Sequence, residues 1–237
     1  TRQAVMNGDK VIACVRNTKK ASDLVALARE NKFIKVVNLD VTGEKSIKHI
    51  AFTGGRFGES FLSSIDNNFI NQETEIFQTD ERLVSYDDNA CIQAMIKRLL
   101  SNSNLNLETD KLNFFELDVS HDHSMHSMSN LLNKKKVSVF DLVFLSLGED
   151  GHIAGDFRES DIFNDNRICY TDKAKKPPKK RISYTASWLL KSEHIFLAAV
   201  GKEKEKAFND FINGRGLHSS KINNDKKIII FKDEDFK

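Results

Sequence analysis

The amino-acid sequence predicts an α/β fold, a mostly parallel, Rossmann-like open sheet with helices on both faces. Short apolar, β-branched segments alternate along the chain with longer amphipathic segments, as expected when strands and helices follow one another. The short segments lack polar alternation, which is typical of parallel strands that are buried on both faces. The chain has 237 residues, of which 40% are hydrophobic and 30% charged. This length favours a single domain over residues 1–237.

The predicted strands are short, apolar and rich in β-branched residues. In chain order they are Lys10–Arg16, Lys35–Leu39, His49–Thr53, Glu75–Thr79, Leu142–Leu147, Ile195–Val200 and Ile228–Phe231. A further strand is expected to begin near Arg181. The predicted helices carry apolar residues at spacings of three and four. They are Lys20–Asn31, Phe57–Asn67, Asn89–Ser101 and Lys202–Asn213.

Three polar stretches are predicted to be connections. Ser101–Asp110 is rich in Ser and Asn, and Lys173–Lys180 is a basic run around the only two prolines, so it is expected to be an exposed, stiff loop. Ser120–Asn130 contains three histidines within six residues, which raises a metal site as an alternative. No spacing places these imidazoles on a common helical face, so a flexible polar loop is favoured. Trp188 with the two leucines that follow is expected to pack in the core.

Charge and cysteine content exclude several classes of function. The chain has 36 basic and 34 acidic residues, so its net charge of +2 does not favour nucleic acid or an anionic membrane as a partner. Cys14, Cys91 and Cys169 lie far apart without metal-ligand spacing, which argues against a disulfide framework and a zinc site. There is no apolar run of about eighteen residues and no signal-peptide pattern. We therefore expect a cytoplasmic protein without a membrane partner.

The segment Phe140–Phe157 carries the strongest indication of chemistry. An apolar strand ends abruptly in Gly148-Glu149-Asp150-Gly151-His152, where the glycines allow a sharp turn. This turn would bring His152 to the carboxyl edge of the sheet, where open α/β sheets bind ligands. There the imidazole can take a proton from water while Asp150 orients it. From these residues alone, a tight turn with a surface histidine is an equally good interpretation.

A phosphate site is indicated by cations from several loops. Arg82, Arg181 and Lys204 are the candidate cations, because a dianion needs several positive groups that converge. The loop Thr53-Gly54-Gly55-Arg56, between a strand and a helix, can add backbone N–H groups and a helix N-terminus. Taken singly, each of these residues is equally typical of a solvated surface or a simple turn.

Several motifs in a fixed order resemble one enzyme family. The run F-D-L-V-F-L-S-L-G-E-D-G-H, which ends at His152, closely resembles the strand-plus-loop motif of 6-phosphogluconolactonases and, more distantly, that of glucosamine-6-phosphate deaminases. Gln78–Arg82 with the downstream Asn89 resembles the lactonase D-E-R segment and its asparagine. The residues around Arg181 resemble the R-I-T strand start, and Val200–Lys204 resembles the G-x-x-K turn. The resemblance runs from about residue 49 to residue 231.

This resemblance implies hydrolysis of 6-phosphogluconolactone to 6-phosphogluconate, a step of the pentose phosphate pathway, by water that His152 activates and with Asp150 as its partner. The substrate-binding and phosphate-binding residues that it implies are Thr53, Gly54, Gly55, Arg56, Asp80, Arg82, Gly151, Arg181 and Lys204. Neither a metal nor an organic cofactor is implied. The partner is a small sugar phosphate, and the enzyme is expected to be a monomer or a homodimer.

Two loops depart from the family pattern. Where the family has S-G-G-S-T-P, this chain has Thr53-Gly54-Gly55-Arg56-Phe57-Gly58, so that Arg56 either binds phosphate directly or partly fills the pocket. Where the family has D-G-H-T-A-S-L-F-P, this chain continues from Asp150 to Phe157 as D-G-H-I-A-G-D-F. These changes are expected to alter or reduce activity, and they leave a non-catalytic sugar-phosphate binding protein as an alternative.

A second alternative is a glucosamine-6-phosphate deaminase, whose loop resembles D-G-H-I-A-F-N-E-P. Ile153 and Ala154 match that loop, but Phe157 stands at its glutamate position, and Arg82 stands where that family has Tyr. The lactonase is therefore favoured.

Residues 8–42 also resemble the second and third strands of a short-chain dehydrogenase. The glycine-rich phosphate turn and the Tyr-x-x-x-Lys pair of such enzymes are absent from the sequence. Segment 1–48 is therefore predicted to be an atypical βαβ portion of the same sheet, without a dinucleotide site, ahead of a lactonase-like region over 49–231.

Overall fold

The computed structural model of the chain describes residues 11–15, 26, 34–38, 47–63, 73–101, 109–118, 120–221 and 227–232. The chain forms two compact units, Thr1–Ile47 and Lys48–Lys237. In the first unit, β1 (Val11–Val15) pairs in parallel with β2 (Ile34–Asn38), so both predicted strands are present. The predicted helix Lys20–Asn31 lies outside the described residues except for one position.

The second unit contains the remaining elements. Its strands are β3 (His49–Phe52), β4 (Glu75–Gln78), β5 (Asp80–Arg82), β6 (Leu112–Asn113), β7 (Leu142–Ser146), β8 (Asp161–Ile162), β9 (Ile168–Thr171), β10 (Arg181–Tyr184), β11 (His194–Ala199) and β12 (Lys227–Lys232). Its helices are α1 (Gly55–Leu62), α2 (Ile92–Ser101), α3 (His121–Lys134), α4 (Ala186–Leu189) and α5 (Glu205–Ile212). None of the described helices is both long enough and apolar enough to span a membrane.

A six-stranded parallel sheet forms the centre of this unit, in the order β12-β11-β7-β3-β4-β6. The predicted strands of this sheet are confirmed to within about one residue at each end, within the usual uncertainty of strand boundaries. All but the first or last residue of β3, β4, β7 and β11 are buried, as their unbroken apolar sequences predict. The predicted fold class is confirmed.

Helices cover both faces of the sheet. Side chains alternate between the faces of a strand, so Phe52, Phe144 and Phe196 lie on one face. Phe61 of α1 packs against all three, with its ring centroid 4.2 Å from that of Phe144. On the opposite face, the neighbouring strand residues share a buried cluster with α3, α4 and α5, whose members include Met128, Trp188 and Phe208. The prediction that Trp188 and the two leucines after it belong to the core is confirmed.

The strand order fixes where a ligand can bind. From β3 the chain proceeds to β4 on one side of the sheet, whereas β7, β11 and β12 lie on the other side. The loops that follow β3 and β7 therefore leave neighbouring strands in opposite directions and open a crevice at the carboxyl edge. The first of these loops begins at Thr53, whose N–H donates to the carbonyl oxygen of Phe144 at 3.0 Å. The second is the turn that contains His152.

A second, antiparallel sheet has the order β5-β10-β9-β8. Only β10 was predicted, from the strand expected near Arg181. Of the other strands, β5 and β8 were missed because neither has an apolar pattern. β5 is three residues of charged sequence, and β8 is two exposed residues.

The prediction of a polar loop over Ser120–Asn130 is wrong, because these residues belong mainly to helix α3. The Ser120 hydroxyl caps the helix by accepting from the His123 N–H at 3.4 Å. Its buried stripe, which includes Met125, Met128 and Leu132, has spacings of three and four.

The three imidazoles of α3 have separate partners rather than a common site. His121 stacks on Tyr170, His123 contacts Glu116 at 3.1 Å, and His126 meets the ring of Phe163 edge-on. Among the residues that the structure describes, no group of three or more His, Cys, Asp or Glu side chains could hold a metal ion.

Other predicted elements differ at their ends. The helix predicted from Phe57 begins at Gly55, and the one predicted from Asn89 begins at Ile92. The helix predicted from Lys202 opens with a 3-10 turn over Lys202–Lys204 before α5. The predicted loop Lys173–Lys180 is confirmed as irregular and mostly exposed. Most of the connection Ser101–Asp110 lies outside the described residues.

Candidate active site

A cavity of about 320 Å³ opens at the carboxyl edge of the six-stranded sheet. It is lined by the loops that follow β3, β7 and β11, by residues of β5 and β10, and by the Lys173–Lys180 loop. Ten of the eleven residues proposed for the site from sequence line this cavity. They are Thr53, Gly54, Gly55, Arg56, Asp80, Arg82, Asp150, His152, Arg181 and Lys204.

His152 and Asp150 form a hydrogen-bonded pair at one wall of the cavity. Nδ1 of the imidazole lies 2.5 Å from Oδ1 of Asp150, and the same oxygen accepts the backbone N–H of His152 at 3.3 Å. The hydrogen bond from His152 holds the pKa of Asp150 well below its usual range, so the carboxylate stays ionised. An ionised carboxylate at Nδ1 fixes the proton there and leaves Nε2 as the acceptor.

The imidazole is also in close contact with Phe157 and Gly148. The ring of Phe157 stacks on it with centroids 4.1 Å apart and an interplanar angle of 23°. On the side of Gly148, a β-carbon would lie only 2.0 Å from Nδ1 of His152, so no other residue fits there without moving the ring. The sequence indicated that glycine makes this turn, but the need for glycine against the imidazole is visible only in three dimensions.

Gly151 is the predicted residue that does not line the cavity. Its φ of +85° is a conformation that favours glycine, and its N–H donates to the carbonyl oxygen of Gly148 at 3.0 Å. It shapes the turn rather than facing a ligand. The N–H of Gly148 is likewise used within the turn, by the carbonyl oxygen of His152 at 2.9 Å.

Arg82 and Arg181 lie directly opposite each other in the antiparallel β5–β10 pair. Like charges in directly opposed positions destabilise a sheet unless something of opposite charge lies between them. Both Nε atoms are buried and have no hydrogen-bond partner within the described part of the chain. Burial, followed by the nearby charge of Arg82, lowers the pKa of Arg181. These features would allow the two guanidinium groups to bind an anion between them.

Lys204 supplies a third cation from the turn after β11. Its Nζ donates to the hydroxyl of Ser146, the last residue of β7, at 2.8 Å. Burial lowers the pKa of Lys204. Among the described residues, none of Arg82, Arg181 and Lys204 is in an ion pair, so their charges remain available to a ligand.

Cations at the rim of the cavity are paired with carboxylates instead. Lys175 lies 3.4 Å from Oδ2 of Asp150, and Lys176 is bonded to Glu149. Arg56 lies 3.4 Å from Glu203, with 91% of its side chain exposed. Arg56 lines the cavity, and its guanidinium is exposed at the rim, so both expectations for Arg56 stay predictions.

The loop from Thr53 to Arg56 supplies backbone groups. Gly54 precedes the first residue of α1 and provides no side-chain cap, so it leaves the N–H groups of the first helical turn without an acceptor from the capping residue. Gly55 has a φ of +72°, which favours glycine. Gly58 packs so closely that a β-carbon would lie 1.9 Å from the carbonyl oxygen of Thr53, which explains a glycine at this position.

Several cavity residues were not among the site residues proposed from sequence. Ser146 and Phe157 contact the functional side chains described above, and Lys175 and Lys176 approach from the basic loop. The sequence identified this loop only as exposed and stiff, and gave no sign of where it folds.

Several known proteins are similar to this chain in sequence. A sequence model of the family described as glucosamine-6-phosphate isomerases/6-phosphogluconolactonase matches residues 6–229, which includes the segment that resembles a short-chain dehydrogenase. The 6-phosphogluconolactonase of Borreliella burgdorferi is 30% identical over 196 residues, which are 77% of this chain and 80% of that protein.

Solved structures share the fold. The 6-phosphogluconolactonase of Thermotoga maritima has a TM-score of 0.68 and 19% identity, covering 94% of this chain and 98% of that one. The 6-phosphogluconolactonase of Trypanosoma cruzi has a TM-score of 0.69 and 18% identity, covering 96% of each chain.

Proposed function

Because the chain belongs to the family of glucosamine-6-phosphate isomerases and 6-phosphogluconolactonases, we propose that it hydrolyses 6-phosphogluconolactone to 6-phosphogluconate, a step of the pentose phosphate pathway. One observation carries this proposal. A single cavity contains both a carboxylate-oriented imidazole and three cations without carboxylate partners in the described part of the chain. The first suits hydrolysis, and the second suits a phosphorylated substrate.

The phosphate binds to Arg82, Arg181 and Lys204, and the N–H groups of the Gly54-Gly55 loop complete its shell. The opposed arginines offer several N–H donors to the phosphate oxygens, and the dianion removes the repulsion between them. Thr53 adds a hydroxyl from the same loop, and Arg56 adds a weaker, solvent-screened charge from the rim. Anchoring one end of the substrate positions its lactone ring for attack.

Asp80 is proposed to bind the sugar. Its carboxylate is buried and lines the cavity, and its Oδ1 accepts from the hydroxyl of Thr79 at 2.6 Å. The other oxygen can accept a sugar hydroxyl.

His152 is the general base. Its Nε2 takes a proton from water as the water oxygen attacks the carbonyl carbon of the lactone, and the carbonyl oxygen becomes an oxyanion. The charge of Asp150 stabilises the imidazolium that forms. The intermediate then collapses with cleavage of the bond between the carbonyl carbon and the ring oxygen. The imidazolium returns its proton to that oxygen, which becomes a hydroxyl, and the new carboxyl group releases a proton to solvent.

The hydrogen bonds within the Gly148–His152 turn limit which of its N–H groups can bind the oxyanion. The N–H groups of Gly148, Gly151 and His152 are used inside the turn. Those of Glu149 and Asp150 make no hydrogen bond within the described residues, so we assign the oxyanion to them.

The structure gives no support to the deaminase alternative. Phe157, at the position of the deaminase glutamate, stacks on His152 and provides no acid or base. Ile153, which matches the deaminase loop, is fully buried and does not line the cavity, so it does not discriminate between substrates. A purely binding protein would not need the Asp150–His152 pair.

The function is tested by incubating the protein with 6-phosphogluconolactone and, separately, with glucosamine 6-phosphate. We expect 6-phosphogluconate to form faster than by spontaneous hydrolysis, and no ammonia from the amino sugar. Ammonia release without lactone hydrolysis would replace the proposal with the deaminase. Binding of both compounds without turnover of either would indicate the non-catalytic alternative.

We further propose that the enzyme acts in the cytoplasm as a monomer or homodimer, without a metal or organic cofactor. Water is the only co-reactant that this hydrolysis needs. Cys91 and Cys169 are both buried, free thiols, which suits a reducing compartment.

A further inference from the structure

Glu81 is the middle residue of β5, between two residues that face the cavity. Asp80 and Arg82 line the cavity and Glu81 does not, as the alternation of side chains along a strand requires. Glu81 is completely buried. A buried carboxylate is costly unless hydrogen bonds compensate for its lost hydration, so its partners indicate what it is for.

The partners of Glu81 lie at the start of α2. Its Oε1 accepts the backbone N–H groups of Arg82 at 2.7 Å and Ile92 at 2.8 Å. Its Oε2 accepts the backbone N–H of Gln93 at 2.8 Å and the side-chain amide of Gln78 at 3.2 Å. The carboxylate thus satisfies N–H groups that the first turn of a helix leaves free, and it does so from another element.

Residues 90–93, at and just before the start of α2, contact cavity residues at two points. Nη1 of Arg82 donates to the carbonyl oxygen of Ala90 at 3.1 Å, which orients the guanidinium. The side chain of Ile92 packs against Gly54, where a β-carbon would lie 2.5 Å from its Cδ1. One short stretch of chain, residues 90–93, therefore supports both Arg82 and the glycine loop that precedes α1.

We propose that Glu81 is a positioning residue for the substrate phosphate, because it fixes residues 90–93 and through them the guanidinium of Arg82 and the Gly54 loop. It does not touch the substrate. The proposal rests on the proposed function, since it assigns the role of Glu81 to the phosphate end of the same site.

The charge on Glu81 depends on the same contacts. Burial raises the pKa of Glu81 to about 7, and the N–H donors of Ile92, Arg82 and Gln93 oppose that rise. As pH falls through this value, the carboxyl gains a proton and loses acceptor capacity. The wild-type protein should then behave more like the Glu81→Gln variant.

The test compares a phosphorylated with an unphosphorylated substrate. For Glu81→Gln, we expect KM for 6-phosphogluconolactone to rise about tenfold, which corresponds to about 1.4 kcal/mol, with little change in kcat. The kcat/KM for unphosphorylated gluconolactone should stay unchanged, and the difference in KM between wild type and variant should shrink below the pKa of Glu81. Asp165→Asn is the matched control, because it also removes a hydrogen-bonded carboxylate, which accepts from Arg167 at 2.8 Å, but it lies outside the cavity.

Three results would overturn the proposal: an unchanged KM, equal losses of kcat/KM with both substrates, or the same KM increase in Asp165→Asn. Should Glu81→Gln not fold, Ile92→Val tests the same path, because it removes the methyl group that packs on Gly54, and it should raise KM for the phosphorylated lactone alone. If the wild-type protein turns over no lactone, the proposed function fails separately. Calorimetric titration with inorganic phosphate then still compares wild type with Glu81→Gln, and equal affinity would refute the role of Glu81.

Discussion

A β-carbon on Gly148 would lie 2.0 Å from Nδ1 of His152, so the backbone of Gly148 packs directly on the imidazole. The ring cannot move away freely, because Asp150 holds its edge and Phe157 its other side. The orientation of the proposed base thus depends on the absence of a side chain four residues earlier.

Gly148→Ala should therefore lower kcat by about 100-fold or more, since a displacement of about 1 Å in a catalytic group has effects of this size. KM should change little, because the phosphate contacts lie elsewhere. Steady-state kinetics measures both quantities. Gly214→Ala is the control, because its φ of +74° makes alanine unfavourable but nothing lies within 4 Å of the new β-carbon. An equal loss of kcat in both variants would show that a general loss of stability, not contact with His152, is responsible.

Replacement of His152 tests the general base. His152→Gln should lower kcat by about 10²–10⁴-fold, the usual contribution of acid–base catalysis, with KM nearly unchanged. Asp150 should add no inflection to the pH-rate profile near neutrality, because its lowered pKa keeps it ionised. Pre-steady-state and pH-rate measurements check this, with His121→Gln, which lies outside the cavity, as control. Undiminished turnover in His152→Gln would remove His152 from the mechanism.

Arg82, Arg181 and Lys204 should contribute most of the affinity for phosphate. Arg181→Ala or Lys204→Ala should weaken binding of the phosphorylated substrate by about 1.5–3 kcal/mol, the scale of a hydrogen bond to a charged group. Turnover of unphosphorylated gluconolactone should be little affected. Inhibition by inorganic phosphate gives an independent reading, and if neither variant changes it or KM, the phosphate lies elsewhere.

Arg56 should contribute far less, although it replaces a small hydroxyl residue of the family pattern. Its side chain is 91% exposed and paired with Glu203, and exposed ion pairs contribute less than about 1 kcal/mol. Arg56→Ser should thus raise KM only a few-fold, and added salt should remove most of the difference. Measurement of KM at low and high ionic strength tests this prediction. A rise in KM as large as that of Arg181→Ala, at either salt concentration, would place Arg56 in direct contact with phosphate.

Asp165 should make stability depend on acid pH. It accepts hydrogen bonds from Arg167 at 2.8 Å and from Ser129 at 2.6 Å, and the bonds from Arg167 are the main cause that lowers its pKa to about 2. Because the folded pKa lies below the unfolded value, this stabilisation is complete above the unfolded pKa and is lost as pH falls through about 2. Asp165→Asn should lower the free energy of unfolding at neutral pH by about 1 kcal/mol, because solvent screens part of the interaction with Arg167.

Urea unfolding at neutral and acidic pH measures this difference, which should shrink towards acid. The exposed Asp161→Asn serves as the control. A deficit of the same size at every pH would mean that the charge of Asp165 is not the cause.

The parallel sheet and the turn that contains His152 could be predicted because local sequence determines them. The run from Leu142 to Ser146 is apolar without interruption, and Gly148 and Gly151 mark the point where the chain must turn. General topology then places that turn at the carboxyl edge. The position of His152 follows from these rules without knowledge of any long-range contact.

The rest depends on contacts between distant segments. Arg82 and Arg181 lie 99 positions apart (181 − 82), and nothing local shows that they are paired across two strands. Helix α3 was missed because its polar N-terminal half outweighs the stripe that begins at Met125. Glu81 was passed over because a charged residue in a short strand usually faces solvent, whereas here the start of α2 surrounds it.

The two sheets of the second unit contribute different groups to the proposed active site. The proposed base comes from a loop of the parallel sheet, whereas both arginines come from neighbouring strands of the antiparallel one. The share of phosphate binding proposed for the two arginines therefore resides in strands that do not contribute to the loop of the proposed base. Evolution or design could alter that share by changing β5 and β10, while His152 and its turn stay intact.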